Sequence, residues 1–142
     1  STPIKSSAAS DVYKRQAGGS SGKECLQINV KDNSAFGSFV QIPAVDGTIE
    51  KIEVTIREPY KGRAIGIFPV GYTYTKDTLA KMKEQLAKDA IAISNETPSD
   101  VNNNEPFTFV IDNLSAKNLT QFSIFPTLGA VSITAITVTY SK

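Results

Sequence analysis

The chain has no histidine and no tryptophan, and only one cysteine and one methionine, among 142 residues. Without an imidazole there is no Ser-His or Cys-His nucleophile pair and no histidine-containing zinc site. A lone Cys25 excludes an internal disulfide, so cysteine usage permits an exported protein without requiring one. It sits in the apolar patch CLQINV, where a thiol packs as a small buried hydrophobe. No apolar run approaches the length that crosses a bilayer as a helix. Lys and Arg never form a dense run, which argues against a nucleic-acid partner and against a polybasic membrane surface.

Ser6 to Gln16, SSAASDVYKRQ, stands apart from the rest. It resembles one translated frame of the transposon-end oligonucleotide used to fragment DNA for short-read sequencing, and STPIK before it fits the flanking primer and index. This resemblance implies that residues 1–16 are a non-native, adapter-derived segment on a metagenome-derived sequence, and that the natural gene resumes near Ala17. The segment is set aside for fold reasoning and is expected to be extended or disordered, with few contacts to the core. Removing it takes Lys5, Lys14, Arg15 and Asp11 from 15 basic and 14 acidic residues, leaving 12 and 13. Ala17 to Lys23 (AGGSSGK) reads as a flexible linker, so residues 17–24 are a connection and 25–142 a single domain.

From Cys25 onward the chain consists of short, β-branched, alternating runs separated by turn residues. In KIEVTIRE, Ile52, Val54 and Ile56 share one face, while Lys51, Glu53, Thr55 and Arg57 share the other, the pattern of a half-buried strand. The Asp46-Gly47 pair before it suits a tight turn after the strand SFVQIP. AIGIFPV is a further strand, in which Pro69 cannot donate to a ladder and points to an edge or a bulge. PFTFVI places Phe107, Phe109 and Ile111 at period two. TQFSIFP aligns Phe122 with Ile124, and the terminal VSITAITVTYS alternates Ile136, Val138 and Tyr140 with Thr137 and Thr139. Six or seven such strands form a sandwich or barrel.

One segment has a different period. Leu79, Met82, Leu86, Ala90 and Ile93 recur at three- and four-residue steps, with Lys and acidic residues between them, which predicts an amphipathic helix over about 78–93. Thr75, Asp77 and Thr78 are the candidate caps. Ser94 to Glu105 is polar and aperiodic, so helix and loop together read as an insertion between two strands.

Two stretches carry a family resemblance. FVQIPAVDGTIEKIEVTIRE is similar to the early strand pair, and QFSIFPTLGAVSITAITVTY to the closing hairpin, of the jelly-roll, galactose-binding-like domains at the ends of many Bacteroidota surface proteins. The resemblance implies an all-β, jelly-roll-like antiparallel sandwich with an extracellular or cell-surface location. Such domains serve as carbohydrate-binding modules, adhesin parts or spacers, so the likeness fixes architecture better than role. The helical insertion and the missing tryptophan, the favoured sugar-stacking residue, depart from the pattern.

Glu50, Glu53 and Glu58 are near one another in sequence, but Glu53 shares its strand face with Lys51 and Arg57 and reads as a solvated surface charge rather than half of a glycosidase pair. The chain is therefore read as not an enzyme. Sugar binding needs exposed rings together with planar hydrogen-bonding groups. Tyr60, in the loop REPYKGR with Arg57 and Arg63, and the alternating Tyr72 and Tyr74 are the candidates. The competing reading of the tyrosines is packing at the sheet margin or against the helix. No cofactor is expected beyond a possible structural Ca2+, for which Asp32, Asp100 and Asn102 supply oxygens, although such residues also favour ordinary turns. The sequons at Asn95, Asn113 and Asn118 carry no weight in a bacterial chain. Two readings remain, a non-catalytic module binding glycan or a structural, adhesive spacer contacting neighbouring protein domains without a small ligand, with a fragment of an enzyme whose catalytic residues lie upstream kept as a third.

Overall fold

The computed structural model describes residues 2–7, 14–16, 25–30 and 39–142. Its strands are β1 (Thr2–Ser7), β2 (Lys14–Gln16), β3 (Leu26–Ile28), β4 (Phe39–Gln41), β5 (Thr48–Arg57), β6 (Ile65–Phe68), β7 (Ala92–Ile93), β8 (Phe107–Ile111), β9 (Ser123–Pro126) and β10 (Val131–Ser141). One helix, α1 (Leu79–Asp89), joins β6 to β7, and a 3-10 turn follows β8. The strands form two antiparallel sheets. The first runs β1-β10-β5-β8, with β3 also paired to β10, and the second runs β2-β4-β9-β6-β7.

From β3 to β10, each link between consecutive strands crosses from one sheet to the other, except β6 to β7, where α1 intervenes. Two four-stranded sheets ordered β3-β10-β5-β8 and β4-β9-β6-β7 are the arrangement of an eight-stranded jelly roll. The expected sandwich with a helical insertion is thus the observed fold. Two local expectations change with this topology. SFVQIP and KIEVTIRE lie in opposite sheets, so Asp46-Gly47 bends a crossover rather than closing a hairpin. β9 and β10 are also in opposite sheets, so the terminal pair is a crossover as well. Both follow from the same cause: an alternating strand gains more by covering the opposite sheet than by pairing with its neighbour in sequence.

The core lies between the sheets. Ile52, Val54 and Ile56 of β5 face Val138, Ile136 and Ile133 of β10 on one side and Ile111, Phe109 and Phe107 of β8 on the other. All are buried except Phe107, which is half-buried with its ring edge-on to Phe109 at 5.2 Å. Each fully buried Ile or Phe side chain contributes about 1.5–3 kcal/mol. Leu26, Ile28, Val40, Ile42, Ile65, Ile67, Phe122 and Ile124 belong to the same cluster. Cys25 is buried, as expected.

Two bulges keep this core in phase. In β10 the buried positions run Val131, Ile133 and then Ile136, Val138 and Tyr140, because the register shifts between Ile133 and Ala135. Thr134, the extra residue, donates its hydroxyl to the Thr55 carbonyl at 3.2 Å. The second shift, between Thr139 and Tyr140, lets β5 bury both Ile49 and Ile52. A strict period of two would have turned one of each set outward. Gly47 is needed for close approach: a Cβ there would meet the Ser141 carbonyl oxygen and lie 2.8 Å from the Tyr140 ring.

A second, smaller cluster covers the outer face of the β9–β6 pair. Val30, Phe68, Phe125, Met82 and Leu86 are buried there, with Phe39, Tyr72, Tyr74 and Ala90 half-buried around them. Both faces of the second sheet are therefore apolar, which is why all four residues of β6 and all four of β9 are buried. Helix α1 lays Met82 and Leu86 on this face, and Gly66 makes room for it. A Cβ at Gly66 would stand 3.0 Å from the Phe68 ring and 3.3 Å from the Ala90 Cβ.

The helix starts where expected, with the Thr78 side chain accepting from the Lys81 amide at 3.3 Å. It stops earlier than the periodicity predicts. Ala90 is extended, and Ala92 and Ile93 leave the helix to pair with β6, leaving Ile93 43% exposed. Leu79 is 52% exposed. Backbone pairing with β6 outweighs the helical period at its end. β6 itself lies between β9 and β7, not at an edge, because Pro69 falls one residue past its end and contributes only its carbonyl, to the Tyr72 amide at 3.1 Å.

Residues 2–7 run antiparallel to β10, from Thr2 opposite Tyr140 to Ser7 opposite Ala135, and residues 14–16 pair with β4. These described stretches are extended, as expected, but their expected lack of contact with the core does not hold. β3 pairs only with residues 131–133 of β10, so the edge beyond it offers unpaired backbone groups that any extended chain can satisfy. The stretch 17–24, read as a linker, lies outside the described residues.

Candidate binding site

The β5–β6 loop is built around Tyr60. β5 stops at Arg57 because Glu58 takes a left-handed conformation (φ 48°) and Pro59 has no amide to donate. Gly62 returns the chain through a second positive φ of 68°. From a loop far along the sequence, the buried Thr97 holds this excursion. Its hydroxyl donates to the Tyr60 carbonyl at 2.6 Å and accepts from the Arg63 amide at 2.8 Å. Its own amide donates to the Arg63 carbonyl at 2.9 Å, and its carbonyl accepts from the Gly62 amide at 3.3 Å.

Tyr60 is 61% exposed. The Arg63 guanidinium carbon lies over its ring, 5.8 Å from the centroid, and Arg63 Nε donates to the Ala130 carbonyl at 3.0 Å. Among the described residues no hydrogen bond engages the two terminal nitrogens of Arg63. Gly129, in the turn between β9 and β10, gives the guanidinium its place: a Cβ there would stand 2.8 Å from Arg63 Cζ and Nε. A fixed cation behind an exposed aromatic ring is an arrangement suited to stacking on an apolar ligand face while donating hydrogen bonds at its edge.

The other candidates fall elsewhere. Arg57 ends β5 opposite Ser132 and has its Nε 3.7 Å from Glu58 Oε2. Tyr72 and Tyr74 do project to one side, as their spacing predicts, but onto the aromatic cluster beneath α1. Tyr72 stacks on Phe68 at 4.6 Å and meets Phe125 edge-on at 5.4 Å, and Tyr74 meets Phe125 at 6.2 Å. The Tyr72 hydroxyl donates to Asp89 Oδ2 at 2.8 Å. Burial first, and the nearby Asp89 carboxylate second, push its phenol well above the usual tyrosine range. Tyr60 precedes β6 and Tyr72 follows it, so the loop pair and the aromatic cluster are separate features; the tyrosines of the cluster match the packing reading.

Asp100, Asn102 and Asn104 are exposed. Asn102 uses its side-chain oxygen on the Asn104 amide at 2.9 Å, as in an ordinary Asx turn. Asp32 lies outside the described residues. Among the described residues no three acidic or cysteine side chains gather as a metal centre would require. Asn95, read only as part of a sequon, accepts from the Val110 amide at 2.8 Å and so covers the open edge of β8.

Sequence reasoning missed Thr97, Gly129 and Ala130. Thr97 sits in a polar loop without periodicity, where nothing marks one hydroxyl above the others. Gly129 did carry a signal, since a glycine between two apolar strands often marks a close approach of side chain to backbone.

No protein-family profile matches the chain, and no curated protein matches it. Among solved structures it is similar to the apo form of BiXyn10A CBM1, with 10% identity and a TM-score of 0.46 over 97% of each chain. It is also similar to a cleaved adhesin domain of Lys-gingipain from Porphyromonas gingivalis, with 9% identity and a TM-score of 0.44 over 100% of each chain. Likeness this distant carries no conclusion about a ligand or partner.

Proposed function

We propose that this domain is a non-catalytic binding module of a larger secreted or cell-surface protein, and that it holds a glycan against the Tyr60 ring. The observation that carries the reading is the Tyr60–Arg63 pair: an exposed ring in a loop that Thr97 holds at the Tyr60 carbonyl and the Arg63 amide, with a fixed guanidinium at its flank. Ordering a loop costs conformational entropy, so a loop already fixed loses less on binding. One stacked ring contributes on the order of 1 kcal/mol, so a single site binds weakly and gains from repetition or an attached partner domain. The extracellular setting rests on the family resemblance of the two strand stretches. Screening on a glycan array, followed by Tyr60→Ala, tests the proposal. The variant is expected to bind each glycan found on the array about fivefold more weakly or worse than the unsubstituted chain. Absence of any glycan binding would favour a structural or adhesive spacer.

A further inference from the structure

The geometry points to a narrower ligand class: a glycan bearing a carboxylate, of the uronic-acid kind, received end-on by the two terminal nitrogens of Arg63 while its sugar ring stacks on Tyr60. This rests on the binding-module reading above. Nε of Arg63 is committed to the Ala130 carbonyl at 3.0 Å, which occupies the side-on edge of the guanidinium and fixes its plane. The close passage over Gly129 prevents the plane from tilting freely on that side. What remains is the pair of terminal nitrogens, a planar fork of donors held beside an exposed ring. That fork matches the two oxygens of a carboxylate, whereas isolated sugar hydroxyls need no such geometry.

The neighbouring charges leave Arg63 as the receiving group. Arg57 faces Glu58 at 3.7 Å. Lys61 is exposed, and the Glu96 carboxylate lies 4.0 Å from the Cβ position of Gly62 but makes no ion pair with Arg63 among the described residues.

The test pairs each member of a panel of uronic-acid oligosaccharides with the same molecule after reduction of its carboxylates to hydroxymethyl groups, with affinities measured by titration calorimetry. At least one acidic member is expected to bind about tenfold more tightly than its reduced partner, the gain of a charge-assisted bidentate contact. Arg63→Lys, which keeps the charge and removes the fork, is expected to bring the pair to near equality, while Lys61→Ala leaves the ratio unchanged. If Arg63→Lys fails to fold, Gly129→Ala displaces the guanidinium and supplies the same comparison. Equal affinity within every pair, with Tyr60→Ala weakening both members alike, overturns the carboxylate inference and leaves the module reading standing. A ratio that survives both substitutions overturns the role of Arg63. Binding of neither set overturns the module reading itself.

Discussion

The Thr97 hydroxyl donates to the Tyr60 carbonyl at 2.6 Å and accepts from the Arg63 amide at 2.8 Å, so one side chain spans both ends of the loop that presents the candidate site. Thr97 is only 3% exposed. Water therefore cannot readily replace it, and the shape of the loop depends on a residue more than thirty positions away.

Thr97→Val keeps the volume and removes both hydrogen bonds, leaving the part-buried Arg63 amide and Tyr60 carbonyl without this partner. The expected loss is about 1–3 kcal/mol by urea unfolding, with weaker ligand binding, while Thr97→Ser stays within about 1 kcal/mol. A valine variant as stable as the natural chain would show that the loop is held by other contacts.

Leu86→Ala removes one of two buried anchors of α1 from the outer face of the second sheet. A loss of about 2–5 kcal/mol is the usual range for a fully buried leucine. Because the cluster is separate from the core between the sheets, the α1 amides should exchange hydrogen much faster while those of β5 and β10 keep their protection. Equal acceleration in all three elements would mean that the two clusters unfold as one.

Tyr72 should be among the last tyrosines to ionise. Its folded-state pKa is raised, by burial first and then by the Asp89 hydrogen bond and charge, so the folded chain retains this proton after the unfolded chain has lost it. The stability it contributes is complete below the ordinary tyrosine range, near pH 10, and is lost as pH rises above it. Tyr72→Phe should flatten that alkaline decline in unfolding free energy, and the phenolate absorbance titration should lose its latest component. An unchanged late component would assign it to another tyrosine.

The eight strands β3 to β10 make a complete roll without β1 and β2. A chain beginning at Ala17 is expected to unfold in one transition with a melting temperature within about 5 °C of the full chain. A larger fall would show that residues 1–16 belong to the fold, against their resemblance to an adapter.

The alternation in KIEVTIR and ITVTY was enough to predict the buried faces of β5 and β10, because a half-buried strand must repeat every two residues. The bulges at Thr134 and at Glu50, which no residue of β10 opposes, were not predictable, since a single extra residue looks like noise in so short a pattern. The end of α1 was misplaced because Ile93 continues the helical spacing while its backbone is drawn into pairing with β6. Tyr60 and Arg63 were legible together, being three residues apart in a polar loop. Tyr72 and Tyr74 were legible as a pair, but their destination depends on Phe68, Phe125 and α1 converging through tertiary contacts. Thr97 and Gly129 act across long sequence separations, which local pattern does not encode.

The most direct test of the account follows the tyrosine ring resonances by NMR during titration with a glycan identified on the array. The account predicts that the Tyr60 ring signals shift progressively and saturate, while those of Tyr72 and Tyr74, packed around Phe125 beneath α1, stay in place. Saturable shifts at Tyr72 and Tyr74 with Tyr60 unmoved would contradict it and transfer the site to the aromatic cluster.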